Sequence, residues 1–187
     1  MMQPTNWHVI TGAPCSGKTA VIEALEALGY QIVNEVARAF IDKELKKGKN
    51  LEEIRSDELA FENNILRRKC AIEASLAQDE TLFLDRAIPD SIAYFKLAGL
   101  DTALPEKNSR IFRYRTIFLF DRLGFEKDRV RVENNDKAAS LQRELENSYK
   151  TLGYDIIRVP SLSVRQRTDF ILTTTGLPLP DPRQLPS

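Results

Sequence analysis

The chain has 187 residues, 42% of them hydrophobic and 29% charged, with a formal net charge of zero. That length supports a single domain with its own core, the composition is globular rather than disordered, and the charge balance gives no electrostatic pull towards nucleic acid or a membrane surface. Two cysteines, Cys15 and Cys70, are too few and too far apart for a disulfide framework or a metal cluster.

Residues 1–6 show no basic region followed by an apolar signal run, and no apolar stretch approaches bilayer-spanning length, so a reducing cytoplasm is the expected compartment. Trp7 to Thr11 is a short apolar run that predicts a strand stopping at Gly12. Val21, Ala24, Leu25 and Leu28 follow at helical spacing before Gly29 closes the helix. A second strand is expected over 30–33 and a helix from Val36 to about Lys47, with Gly48 and Asn50 interrupting the pattern. Over 51–78, Ile54, Phe61, Ile65, Ile72 and Leu76 share one face, which predicts one long amphipathic helix with a solvated charged face.

A third strand over 81–84 ends in Asp85, and Ser91 to Leu97 predicts a helix with Pro89 near its start. Thr116 to Phe120 predicts a fourth strand. The charged stretch 121–136 has little apolar content and reads as a loop or lid. Ala138, Leu141, Leu145, Tyr149 and Leu152 then mark a helix closed by Gly153. A fifth strand over 155–159 and a helix over 164–172 complete the pattern, and Pro178, Pro180, Pro182 and Pro186 prevent regular structure in the tail 176–187. Strands alternating with helices predict one α/β domain over 1–175, a mainly parallel sheet covered on both faces, with ligands at the carboxyl ends of its strands.

Gly12-Ala13-Pro14-Cys15-Ser16-Gly17-Lys18-Thr19 has the spacing G-x-x-x-x-G-K-[ST] between a predicted strand and a predicted helix. Glycines at those places let backbone N–H groups converge on phosphate oxygens, and the helix adds its positive dipole end. Lys18 is expected on the β- and γ-phosphates, and the Thr19 hydroxyl on magnesium. Asp85 sits where a neighbouring strand delivers a carboxylate for a magnesium-bound water, or is simply a solvated strand end. Arg86 follows it, and Asp90 is either a substrate ligand or a cap of the next helix. Glu35 and Arg38 are either site residues or an i,i+3 surface ion pair. Arg122, Arg129 and Arg131 could close over a triphosphate or belong to a solvated loop. His8 reads as a packed strand residue with no chemical role.

Together these pieces resemble a family of AAA-type predicted ATPases and small kinases, grouped with the ribosylnicotinamide kinase domain of the bacterial NAD regulator. The resemblance rests on the loop Gly12 to Thr19, Glu35-Val36-Ala37-Arg38, and Leu84-Asp85-Arg86 with Asp90 and Tyr94. It extends through Asp128-Arg129-Val130-Arg131, Tyr149 with Leu152-Gly153-Tyr154, and Val159-Pro160 with Arg167, covering about residues 8 to 173. It implies a P-loop NTPase fold, a three-layer α/β/α sandwich with a five-stranded sheet in the kinase-type order 2-3-1-4-5, and a purine against the loop from Pro160 to Ser163. A looser likeness to deoxynucleoside kinases implies Glu35 as general base and Arg86 as a phosphate or acceptor ligand.

The expected function is transfer of the γ-phosphoryl group of ATP, with GTP left open, to a small nucleoside-like hydroxyl acceptor in the presence of magnesium. In this reading Lys18, Thr19 and Asp85 hold nucleotide and metal, and Glu35 accepts the hydroxyl proton. Arg38, Arg86, Arg129 and Arg131 position phosphates, and the segment 51–78 walls the acceptor pocket. The alternative is a regulatory switch or partner-binding ATPase. A protein partner or homo-oligomer is left open, and no nucleic acid or membrane is expected.

Overall fold

A computed structural model describes residues 2–122 and 132–179, for 132–135 the backbone only. In chain order its elements are β1 (Gln3–Pro4), β2 (Trp7–Thr11), α1 (Lys18–Ala27), β3 (Gln31–Val33), α2 (Val36–Lys46), α3 (Leu51–Ile54), α4 (Glu58–Ser75), β4 (Leu82–Asp85) and α5 (Asp90–Leu97). These are followed by α6 (Ala103–Asn108), β5 (Phe112–Arg113), β6 (Thr116–Phe120), α7 (Val132–Thr151), β7 (Ile156–Val159) and α8 (Val164–Thr175).

β2 is buried at every residue because it lies at the centre of the main sheet, pairing in parallel with β4 on one side and β6 on the other. β3 extends the sheet beyond β4 and β7 extends it beyond β6, so the order is β3-β4-β2-β6-β7, all parallel. Numbering those five strands alone along the chain gives 2-3-1-4-5, as the resemblance implies. A parallel sheet needs cover on both faces, which is why its strands are apolar runs rather than alternating ones. Successive residues nevertheless point to opposite faces: Val9, Leu82, Leu84 and Ile117 pack with Tyr149 and Leu152, while Ile10, Phe83, Phe118 and Phe120 pack with Ile22, Leu25, Ile171 and Leu172. The second face is covered by α1 and α8, and the first by the layer containing α5 and α7.

The structure corrects the sequence reading in four places. The single helix expected over 51–78 is two helices, because Asn50 and Asp57 each start one. Asn50 forms a capping box with Glu53, and the Asp57 side chain accepts from the Ala60 N–H at 2.8 Å. A small parallel sheet of β1 and β5 joins the N-terminal residues to the segment before β6; each strand has two residues, too few for periodicity to reveal. α6 was also not expected. The helix of the lid region starts at Val132, so 132–136 of the expected lid are already helical, and Arg129 and Arg131 lie outside the described residues. Among the described residues no helix is long and apolar enough to cross a membrane.

Candidate active site

The loop between β2 and α1 turns on two glycines that no other residue could replace without displacing a neighbour. At Gly12, φ is +144° and a Cβ would meet the Phe120 carbonyl oxygen at 2.8 Å; at Gly17, φ is +75° and a Cβ would lie 2.6 Å from Arg167 Nη1. Cys15 also adopts a left-handed conformation, with φ 60°. Arg167 supports the loop from below, donating through Nη1 to the Ser16 carbonyl at 2.9 Å. Gln142 of α7 reaches it from the other side. Its Oε1 accepts from the Ala13 N–H at 2.7 Å while its Nε2 donates to the Phe120 carbonyl at 3.0 Å.

Lys18 folds back over this loop. Its Nζ donates to the Gly12 and Ala13 carbonyls at 2.9 and 3.0 Å and to Ser16 Oγ at 3.1 Å. Burial pushes its pKa down to about 8, with Arg86 adding to the effect and Asp85, Glu35 and Asp90 opposing it. Pro14, Cys15 and Thr19 are exposed at the mouth of the loop.

β4 brings Asp85 beside Ile10 of β2, at the carboxyl edge of the sheet. Burial and the like charge of Glu35 raise its pKa to about 6 against the pull of Arg86 and Lys18. Its Oδ1 is buried without a hydrogen-bond partner among the described residues. Arg86 takes a left-handed conformation, φ 65°, while its N–H donates to the Ile10 carbonyl at 3.0 Å. Its guanidinium lies between two carboxylates, with Nε 3.4 Å from Glu35 Oε1 and Nη1 3.3 Å from Asp90 Oδ1, and stands 5.6 Å from the Tyr94 ring centroid.

Asp90 is fully buried and accepts from Thr11 Oγ1, the Tyr149 hydroxyl and the Ala87 N–H as well as from Arg86. Burial alone would raise its pKa, but Lys69, Arg86 and these hydrogen bonds hold it below the ordinary value of 3.8. Its surroundings suit anchoring Arg86. The ion partner of Glu35 is thus Arg86 rather than Arg38, and both Glu35 and Arg38 face the cleft over the loop. Pro160 is exposed in the turn after β7, where the Leu162 N–H donates to its carbonyl. His8 is buried and its ring lies 5.2 Å from that of Phe83, as a packed strand residue would.

Two adjoining cavities occupy this edge of the sheet. The outer cleft, about 580 Å³, is lined by Pro14 to Thr19 together with Glu35, Arg38, Ile41, Asp42, Arg86 and Tyr94. The inner cavity, about 220 Å³, shares Pro14, Glu35, Ile41, Arg86 and Tyr94 with it and extends between α2, α4 and α7 to Phe61, Ile65 and Leu141. Ala37, Arg55, Glu62 and Lys69 complete its lining. The sequence pattern places the charged residues of 51–78 on a solvated face; Arg55 is exposed there, whereas Glu62 and Lys69 are buried. A signal was present: Glu62, Leu66, Lys69 and Glu73 recur at helical spacing, and all four are buried. Lys69 donates to the Ala87 carbonyl at 3.0 Å and to Ser91 Oγ at 3.3 Å; Glu73 accepts from the Ile88 N–H at 2.9 Å and the Tyr114 hydroxyl at 2.7 Å.

Solved structures with the same fold include NadR in complex with NR, which is 15% identical with a TM-score of 0.69, the match covering 95% of this chain and 52% of that one. This chain therefore spans about half the length of the NadR chain it matches. The thymidylate kinase of Ehrlichia chaffeensis is 16% identical with a TM-score of 0.64, over 92% of this chain and 98% of that one. The deoxyadenosine kinase of M. mycoides, solved with dCMP and dCDP, is 15% identical with a TM-score of 0.62, over 91% and 98%. At these identities the likeness is one of fold. No curated protein matches the chain in sequence. The family model described as an AAA domain (AAA_28) matches residues 7–167, which include the phosphate loop, both cavities and Arg167. With the P-loop kinase fold and this match over most of its length, the chain belongs to that AAA domain family of P-loop NTPases.

Proposed function

We propose that the protein is an ATP-dependent kinase that phosphorylates a small, nucleoside-like hydroxyl compound. One observation carries this reading: the phosphate loop opens onto a second, partly apolar cavity, and Glu35 and Arg86 belong to both. A switch ATPase needs a place for nucleotide alone, whereas a phosphotransferase needs two sites meeting at a proton acceptor and a phosphate-binding cation.

In this reading the triphosphate lies on the backbone N–H groups of the loop at the N-terminus of α1, and Lys18 gives up its loop carbonyls to contact the β- and γ-phosphates. Glu35 accepts the proton of the acceptor hydroxyl as the new O–P bond forms and the bond to the β-phosphate oxygen breaks, with ADP leaving. Arg86, held by Asp90, stabilises charge on the transferring group, Arg38 contributes from the cleft wall, and the arginines at 129 and 131 are assigned to the same phosphates on the sequence alone. The Thr19 hydroxyl and the Asp85 oxygen that has no partner among the described residues are hard oxygen donors, which suits magnesium with its retained waters. A magnesium ion held there would neutralise phosphate charge. Base recognition by the turn at Pro160 is part of the same proposal, and the same loop would accept GTP.

The test is a screen of nucleosides, vitamins and sugars for acceptor-dependent ADP production by the purified protein. Stimulation by one small hydroxyl compound is the expected result. Stimulation only by a macromolecule, or by nothing, would overturn the kinase reading in favour of a switch.

A further inference from the structure

The inner cavity contains a carboxylate, that of Glu62, to which no group among the described residues donates a hydrogen bond. Glu62 is 3% exposed and lies on the cavity wall. Among the described residues its ion partner is Arg55, whose Nη2 is 3.6 Å from Glu62 Oε1, beyond hydrogen-bonding range. That guanidinium is already engaged with Glu58 through Nε and Nη2, and it lies 4.7 Å from the Phe61 ring centroid. The ammonium of Lys69 is turned to the Ala87 carbonyl and Ser91 Oγ, and its charge acts on Glu62 from beyond ion-pair distance. Buried carboxylates are almost always hydrogen-bonded, so one that faces a cavity without a donor points to a donor brought by a ligand.

The rest of the cavity limits what that ligand can be. Ala37, Ile41, Phe61, Ile65 and Leu141 give it apolar walls, which a planar ring fills and a polyol would leave poorly matched. A carboxylate accepts and does not donate, so the edge of the ring at Glu62 must carry a donor or a positive charge. An anionic edge would meet like charge. At the other end Glu35 and Arg86 open to the phosphate loop, where the hydroxyl must lie.

We propose that Glu62 selects the acceptor by accepting a hydrogen bond from an N–H group on the edge of its heteroaromatic ring, while the ring packs on Phe61 and Ile65 and the hydroxyl faces Glu35. This rests on the kinase reading and names its substrate class: nucleosides whose base presents an amine or amide donor.

The test is calorimetric titration of the full chain, in the presence of a non-hydrolysable ATP analogue, with matched pairs that differ by one exocyclic amine. Adenosine is compared with purine riboside, and cytidine with 2-pyrimidinone riboside. The amine-bearing member of at least one pair should bind wild type about tenfold or more tightly, the worth of a hydrogen bond to a charged group. Glu62→Met should remove that preference, bringing the affinity ratio within each pair towards one. Glu62→Gln, which keeps the shape and one acceptor oxygen, should weaken the preference about threefold or more and decides the matter if the Met variant does not fold. Equal affinities within both pairs, no binding by any of the four compounds, or a preference undiminished in the folded variants would overturn the proposal. ATP-analogue binding by wild type, lost in Lys18→Ala, is measured separately. Its absence counts against the kinase reading, whereas its presence with no amine preference counts against the role of Glu62 alone.

Discussion

The ammonium of Lys18 has three protons and gives them to Gly12, Ala13 and Ser16, all within its own loop. Incoming phosphate would replace these neutral acceptors with charged ones, which form stronger bonds. Lys18→Ala should therefore weaken binding of a fluorescent ATP analogue and abolish turnover; unchanged affinity together with unchanged hydrolysis would contradict the loop assignment. Glu35 is half-buried and paired with Arg86. Glu35→Gln should leave nucleotide affinity nearly intact and lower phosphoryl transfer by roughly 10²- to 10⁴-fold, the usual contribution of a positioned base. Transfer at the wild-type rate would make Glu35 only a structural partner of Arg86. Lys18 was legible in the sequence because the loop's spacing is local and the backbone geometry it needs is specific to glycine. Glu62 was not, since the cavity it lines lies between α2, α4 and α7, and a one-dimensional pattern does not contain that space. Asp90 was only half legible: its place after the third core strand could be read, but its burial beneath Arg86 could not.

At the scale of elements, the sheet strands were legible because parallel strands covered on both faces are uninterrupted apolar runs. The break between α3 and α4 was obscured by the same periodicity that revealed the helices. Ile54 and Phe61 stay on one face across the break, and only the capping at Asn50 and Asp57 shows that two helices carry that face. The two-residue strands β1 and β5 offer no pattern at all. The segment 121–131, before α7, is proposed as a lid over the nucleotide, with its arginines 129 and 131 acting mainly in the transition state, when charge on the equatorial oxygens is rearranged. Replacing each with alanine should cut kcat by roughly 10² or more while the Kd for ATP moves only modestly, and lysine should rescue poorly because it lacks the planar fork. Steady-state kinetics alongside equilibrium titration separate these terms. Equal losses in affinity and turnover would assign the arginines to ground-state binding, and no loss in either would leave a solvated loop.

At the scale of the whole molecule, polar groups tie α4 to the sheet. Lys69 and Glu73 of α4 bond to the turn between β4 and α5, and Glu73 also reaches Tyr114, just before β6. Burial raises the pKa of Glu73 from an ordinary 4.5 to about 7, although its hydrogen bonds with Tyr114 and Ile88 and the charge of Lys69 oppose the shift. Between those two values the folded chain holds a proton that the unfolded chain has released, so this group's contribution to stability falls as pH rises through the window. Glu73→Gln keeps an acceptor for the Ile88 N–H and does not titrate. The Tm of wild type should therefore lose ground to that of the variant between pH 5 and pH 8, and a difference that does not change with pH would contradict the shift.

If one cleft joins a triphosphate to a hydroxyl acceptor, the fate of the γ-phosphoryl group reveals it most directly. With γ-labelled ATP, magnesium and the acceptor found by screening, the label should pass to the small molecule with one ADP formed for each phosphorylated product. Glu35→Gln should slow that transfer without blocking nucleotide binding. Label recovered only as inorganic phosphate, at a rate no small hydroxyl compound changes, would contradict the account.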